Sequence, residues 1–138
     1  MAERMQVYKC NSCGIIVQVA HGGMATLFCC NIPMELLEGQ TSTGANTDHL
    51  PLVKKTEDGL TVKVGAEAHP MEDGHYIEWI EIFTENISMT RFFNPGDIPE
   101  ANFPIEISGP KMNVLIYCNK HRLFKNLCLK SFNSYNIA

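Results

Sequence analysis

Two groups of residues in this sequence carry the donor atoms that borderline and soft metal ions take. The first is Cys10 and Cys13, a Cys-x-x-Cys knuckle with Gly14 behind it, followed by the adjacent pair Cys29 and Cys30. Knuckle spacing lets two sulfurs converge on one ion while backbone amides point back at them. Four thiolates suit zinc or iron. A zinc ribbon usually closes with a second Cys-x-x-Cys, whereas here the closing cysteines are neighbours. Side chains alternate along an extended chain, so such neighbours reach one ion only if the backbone bends between them. The expected geometry is a flattened tetrahedron, which zinc does not particularly reward. A structural Zn(Cys)4 site and a disulfide remain alternative readings, the second disfavoured in a reducing compartment. His21 reads as a turn or surface histidine, because four thiolates already satisfy a tetrahedral ion.

The second group is the remaining histidines, His49, His69, His75 and His121, with Cys118 close to the last. Cys118-Asn119-Lys120-His121 puts a thiolate and an imidazole on one tight loop at a strand end. His69-Pro70 and Gly74-His75 bracket another short loop. Four imidazoles and one thiolate leave a six-coordinate metal one open position. Imidazole favours Fe, Ni, Cu or Zn, but zinc seldom takes five protein donors. A thiolate opposite the open position pushes electron density toward whatever binds there. That arrangement suits one-electron reduction of a small oxygen species.

The elements that position these donors read as strands. Val7 to Lys9, Ile15 to Ala20 and Ala25 to Cys30 are β-rich runs around the cysteines, and Gly22-Gly23 marks a turn. Glu35 to Leu37 is too short to count as a helix. Glu38 to Asp48 reads as linker running into a surface loop. Leu52 to Lys55 and Leu60 to Val64 flank Glu57-Asp58-Gly59, a hairpin signal. In His75 to Phe83, strict alternation puts His75, Ile77 and Trp79 on one face and Tyr76, Glu78 and Ile80 on the other. Arg91 to Phe93 precedes a Pro95-Gly96 turn, and Phe103 to Ile107 and Met112 to Cys118 are further strands. Short strands with turns between them predict an all-β chain: a small metal domain over residues 1–37 and a β-sandwich over 38–138. A unit of that smaller size buries little apolar surface and needs a metal or disulfides.

The length of 138 residues suggests one ordinary domain, or one small and one medium domain, and 45% hydrophobic and 19% charged residues are those of a globular protein. The net charge of −4 and scattered cations argue against nucleic acid as a partner. No run is long and apolar enough for a membrane span, and Met1 to Val7 lacks an apolar signal core. The expected location is the cytoplasm.

Taken together, Cys10-x-x-Cys13, Cys29-Cys30, His49, the run Ala68-His69-Pro70-Met71-Glu72-x-x-His75-Tyr76-Ile77-Glu78-Trp79-Ile80-Glu81, the Asn94-Pro95-Gly96-Asp97 turn and Cys118-Asn119-x-His121 resemble desulfoferrodoxin, the two-iron class of superoxide reductase. The resemblance runs from about Tyr8 to Phe124. It implies a desulforedoxin-like (rubredoxin-like) domain with iron on Cys10, Cys13, Cys29 and Cys30. It also implies an immunoglobulin-like sandwich with a catalytic iron held by His49, His69, His75 and His121 in one plane and Cys118 on the axis. The implied reaction takes superoxide, one electron and two protons to hydrogen peroxide. Family members are homodimers reduced by rubredoxin-type carriers, typical of anaerobes or microaerophiles.

One departure stands out. The family usually has a glutamate and a lysine just before the first histidine, and here those positions are Thr47 and Asp48. Thr47 cannot act as a carboxylate ligand, and Asp48 inverts the local charge. Lys120, on the Cys118 loop, is the candidate to compensate, with plain solvent exposure as the alternative. Trp79 reads as core or ring packing beside the histidine site, and Cys128 as a free or packing thiol. The rival functional readings are a non-enzymatic iron electron carrier and a zinc-stapled binding module.

Overall fold

The computed structural model describes residues 1–41, 48–106, 111–129 and 136–137. The chain forms two compact units, Met1–Glu38 and Gly39–Ala138. No helix occurs among the described residues.

The first unit is built from β1 (Val7–Lys9), β2 (Ile16–Gln18), β3 (Phe28–Cys29), β4 (Ile32–Pro33) and β5 (Glu35–Leu37). β1 lies between β2 and β5 and pairs antiparallel with both, Val7 opposite Gln18 on one side and Leu37 on the other. The strand expected over Ala25 to Cys30 shrinks to Phe28–Cys29, because its partner β4 is only two residues long. Between them the chain reverses at Cys30 and Asn31, both in the left-handed region (φ 54° and 62°). That reversal is the bend required for adjacent cysteines to face one point. Few apolar side chains are buried here: Ala2, Val7, Tyr8 and Leu37, with Cys10 among them, while Met24 and Phe28 are exposed.

The second unit is a sandwich of two four-stranded sheets. One has the order β10-β7-β6-β13, from β6 (Pro51–Thr56), β7 (Gly59–Val64), β10 (Glu100–Phe103) and β13 (Asn136–Ile137). The other has the order β12-β11-β8-β9, from β8 (Ile77–Phe83), β9 (Ser88–Phe92), β11 (Lys111–Cys118) and β12 (Arg122–Leu129). Val53, Leu60, Val62, Val64 and Phe103 of the first sheet and Ile77, Ile80, Ile82, Val114, Ile116 and Phe124 of the second form one buried cluster. Burying a side chain of this size contributes about 1.5–3 kcal/mol.

Three expectations need correction. The strand predicted over Phe103 to Ile107 instead ends at Phe103, because Pro104 has no N–H for the ladder and the Ile105 amide turns back to the Phe103 carbonyl at 2.8 Å. Ile107 lies outside the described residues. In β8, strict alternation fails. Tyr117 pairs with Trp79 but Cys118 pairs with Ile77, so Glu78 is an extra residue, a β-bulge. The bulge puts Ile77, Ile80 and Ile82 in the same core and leaves Trp79 stacked on Tyr117, ring centroids 4.6 Å apart and 8° from parallel. Finally, no strand is expected after Cys118, yet Arg122–Leu129 is a full strand paired along the whole of β11.

Candidate metal centres

In the first unit, the sulfurs of Cys10, Cys13, Cys29 and Cys30 lie within 4.8 Å of one another. Cys13 to Cys29 is 3.7 Å and Cys29 to Cys30 is 3.9 Å. A tetrahedral ion with metal–sulfur bonds near 2.3 Å has edges of about 3.8 Å, so the cage has the size of a four-thiolate site. Gly14 makes the knuckle possible: its φ of 87° lets its amide return to the Cys10 carbonyl at 2.9 Å, and the Cys10 amide reaches the Ile15 carbonyl. Amides of Cys13 and then Ser12 point at the Cys10 sulfur and draw its pKa down to about 6. The Cys29 thiol, hydrogen-bonded first to Cys10 and then to Cys13, is pushed up to about 12. A ready Cys10 thiolate beside the protonated Cys29 and Cys30 takes up a cation with release of protons. His21 is exposed and outside this group.

In the second unit, the strand ends do the positioning. His49 sits just before β6, His75 just before β8, Cys118 ends β11 and His121 precedes β12. Pro51 pairs with Val64, and Cys118 with both Ile77 and Arg122. Antiparallel registry thus collects these ends at one rim of the sandwich. The His69–His75 loop is propped by the Asn94–Asp97 turn: the Gly96 amide donates to the Met71 carbonyl at 2.7 Å, and the Asp97 carboxylate accepts from the Asn94 amide. Asn119 joins the two remaining stretches. Its side-chain oxygen accepts from the Tyr76 amide at 2.8 Å, and its own amide donates to the Tyr76 carbonyl.

The four imidazoles form a closed square. Ring centroids are 4.7 Å apart for His49 and His69, 4.8 Å for His69 and His75, 4.9 Å for His75 and His121, and 5.0 Å for His121 and His49. The Cys118 sulfur lies 3.7 Å from nitrogens of both His69 and His121, which are opposite corners. It therefore stands over the centre of the square. His49 Nε2 and His69 Nε2 are 3.0 Å apart, the separation of two donors at right angles on an ion about 2.1 Å from each. The sulfur is further out than the about 3.1 Å that bonds of 2.3 and 2.1 Å would give, so the thiol must close in as it binds.

The protonation chemistry fits a cation. A carbonyl only accepts, so the 2.7 Å contact between His69 Nδ1 and the Pro70 carbonyl puts the proton on Nδ1 and leaves Nε2 as a lone-pair donor. His75 Nε2 is buried with no hydrogen-bond partner, an unsatisfied atom that a metal would satisfy. Burial lowers the pKa of His49 to about 4 and also lowers those of His69 and His75. Burial raises the Cys118 thiol, against the opposing pull of the His121 and Lys120 amides on its sulfur. Cys118 is fully buried, His75 half-buried and His121 exposed. The apex thus faces the core, and the open side of the square faces away from it.

A pH dependence follows for the metal-free protein. Unfolded His49 takes a proton near its ordinary 6.5 while folded His49 resists until about 4. The unfolded state therefore binds more protons between these values, and stability falls as pH drops through that window. The urea midpoint followed by Trp79 fluorescence should be constant between about pH 6.5 and pH 8, below the range where thiols ionise, and drop steadily toward pH 4. A midpoint flat across that range would contradict burial of a neutral His49.

Lys120 is exposed beside the site, near enough for its charge to act on His75 and Cys118. Asp48 is exposed before His49, and Thr47 lies outside the described residues. Cys128 pairs with Met112 in the β11–β12 ladder. Two residues that the sequence did not single out also touch the ligands. Phe124 stacks on His49 at 4.1 Å and 6°, and Gln40 holds the His121 carbonyl. An aromatic three residues beyond a histidine and a lone linker glutamine carry no spacing signal.

With this geometry in hand, similarity to known proteins becomes informative. The sequence profile of the desulfoferrodoxin N-terminal domain matches residues 2–37, and that of desulfoferrodoxin matches 41–127. The desulfoferrodoxin of Syntrophotalea carbinolica is 48% identical over 126 residues, covering 91% of this chain and 98% of that protein. That of Nitratidesulfovibrio vulgaris is 45% identical over 125 residues, again 91% and 98%. Among solved structures, the superoxide reductase of Treponema pallidum shares the fold with a TM-score of 0.71 at 20% identity, covering 91% of this chain and 99% of that one. That of Nanoarchaeum equitans has a TM-score of 0.52 at 25% identity, covering 65% and 99%. The four-cysteine and four-histidine-one-cysteine groups match the two iron sites of the desulfoferrodoxin domains.

Proposed function

The chain belongs to the desulfoferrodoxin family, and from that premise we propose that it is a superoxide reductase. The reaction is superoxide plus one electron plus two protons giving hydrogen peroxide, which removes superoxide in an anaerobe or microaerophile. The observation that carries this reading is the square of four imidazoles with a buried thiol on its axis. In this reading His49, His69, His75, His121 and Cys118 hold the catalytic iron, and Cys10, Cys13, Cys29 and Cys30 hold the second. Electrons come from a rubredoxin-type carrier, the chain acts as a homodimer, and it works in the cytoplasm. No helix among the described residues is long and apolar enough to cross a membrane.

Iron held by His49, His69, His75, His121 and Cys118 would supply the one-electron couple. The chain's residues do the rest. Burial keeps His49, His69 and His75 neutral at pH 7, so no proton competes for their lone pairs. The Pro70 carbonyl fixes the His69 tautomer. The amides of His121 and Lys120 hold the Cys118 sulfur as an acceptor, which tunes its electron donation. The core around Cys118 excludes water from the apex, leaving solvent to deliver protons from the opposite side.

Purified protein should hold two iron ions per chain and should consume superoxide with one reductant electron per superoxide and no dioxygen evolved. Dioxygen evolution would mean dismutation. No superoxide consumption would leave an electron carrier, and one zinc with no iron a binding module.

Charge at the open face sets the capture rate. The Asp48 carboxylate acts on His49, His69 and His75, and the Lys120 ammonium opposes it at His75. At an effective dielectric near 20, a unit charge about 8 Å away is worth about 2 kcal/mol before salt screening. Asp48→Lys is therefore expected to raise the second-order rate of superoxide capture about tenfold at low salt, with the gain shrinking as salt rises. Stopped-flow mixing with superoxide measures this, and an unchanged rate at low salt would remove the charge argument.

A further inference from the structure

We propose that Gln40, outside every motif that marks the metal sites, is a positioning residue for the four-histidine square, holding His121 directly and His49 through Phe124. The inference rests on the reading of that square as an iron site.

Gln40 Nε2 donates to the His121 carbonyl at 2.7 Å and lies 3.4 Å from the Leu123 carbonyl. Its backbone grips the same stretch. The Gln40 amide donates to the Leu123 carbonyl at 2.9 Å, and the Lys125 amide donates to the Gln40 carbonyl at 2.8 Å, a parallel bridge centred on Phe124. The approach is close enough that a Cβ on Gly39 would collide with the Lys125 Cβ. Segment 39–40 is thus seated on the start of β12.

Two consequences reach the square. First, Arg122 has φ of 74°, a sparsely populated conformation for a residue with a side chain. Relaxing it would rotate the His121–Arg122 peptide and swing the His121 ring with it. The Gln40 amide group anchors the oxygen of that peptide. Second, His49 has no tautomer-fixing partner of the kind His69 has, since its Nδ1 is buried without a hydrogen bond. What sets the His49 ring plane is the Phe124 stack, and the Gln40 backbone pins the strand on both sides of Phe124. One residue therefore steadies two adjacent corners of the square.

The test uses the full-length iron protein with Gln40→Met, which keeps length and backbone pairing but loses the donor, and Gln40→Lys, which restores a donor. The readouts are iron loss from each site to a chelator, the visible band of the histidine–cysteine site, and the urea midpoint. Outer-shell partners typically matter 10- to 100-fold in metal affinity, so the Met variant should lose that iron about tenfold faster. Its band should shift, while the four-cysteine iron leaves at the parent rate, the midpoint stays near the parent's, and the Lys variant recovers retention. Parent-like loss and an unshifted band in the Met variant overturn the proposal. So does faster loss that only tracks a lowered midpoint and is not recovered by lysine. A parent protein with one metal per chain overturns the reading of the square itself, and the proposal with it. Two metals with no effect of Gln40→Met overturns the proposal alone.

Discussion

Cys118→Ala is expected to cut superoxide reduction at least about 100-fold, beyond the loss usual for an outer-shell change, while the absorption of the four-cysteine site stays as in the parent. The reason is position. The sulfur stands over the centre of the imidazole square and is fully buried. Alanine would leave four imidazoles able to hold a divalent ion but no anionic donor at the apex. Without that donor the push of electron density toward the substrate is lost. Because Cys118 also ends β11 in the core cluster, the variant's fold is checked through Trp79, which stacks on Tyr117 one residue away. Retention of more than a tenth of parent activity in a folded variant would show that the axial sulfur is not what drives the reaction.

Cys29→Ser is expected to unfold Met1–Glu38 outright while leaving the second unit native. The buried apolar set of the first unit is Ala2, Val7, Tyr8 and Leu37, with Cys10 among them. Ordering each residue costs about 1–2 kcal/mol of backbone entropy, far more across such a unit than so few side chains return. Structural ions in units of this size supply about 10 kcal/mol or more of folding free energy. Cys29 lies 3.7 Å from Cys13 and 3.9 Å from Cys30, so two of its three edges in the cage already have the length a four-thiolate ion needs. Amide hydrogen exchange reads the outcome directly. β1, β2 and β5 should exchange at unfolded rates, and β8 and β11 should stay protected. Protection surviving in β1 would mean that the small core suffices without its ion.

The donor types and much of the β architecture are legible without coordinates. Thiolates in a knuckle and an adjacent pair predict one ion and a bent backbone, and Cys30 and Asn31 supply the bend. Short β-rich runs separated by turn residues predict strands and no helices. Local pattern misleads where long-range pairing takes over. Alternation read through Glu78 assigns Ile77 and Trp79 to one face, but registry against β11 inserts a bulge and sends them to opposite sides. Arg122–Leu129 shows weak alternation of its own and becomes a strand because β11 offers it a full-length partner. Gln40 is invisible for the same reason: its partners are some eighty residues away.

The sequence by itself determined which atoms are available for chemistry: four thiols near the start, four imidazoles and one thiol later on, and the acidic Asp48 beside His49. Those are properties of residue type and short spacing. Only the tertiary structure decided that His69 and His121 are opposite corners of the square, that Cys118 stands on its axis and that Phe124 lies flat on His49. Such relations depend on the registry of β6, β8, β11 and β12, and registry is set by burial of the whole sandwich core rather than by the residues next to any ligand.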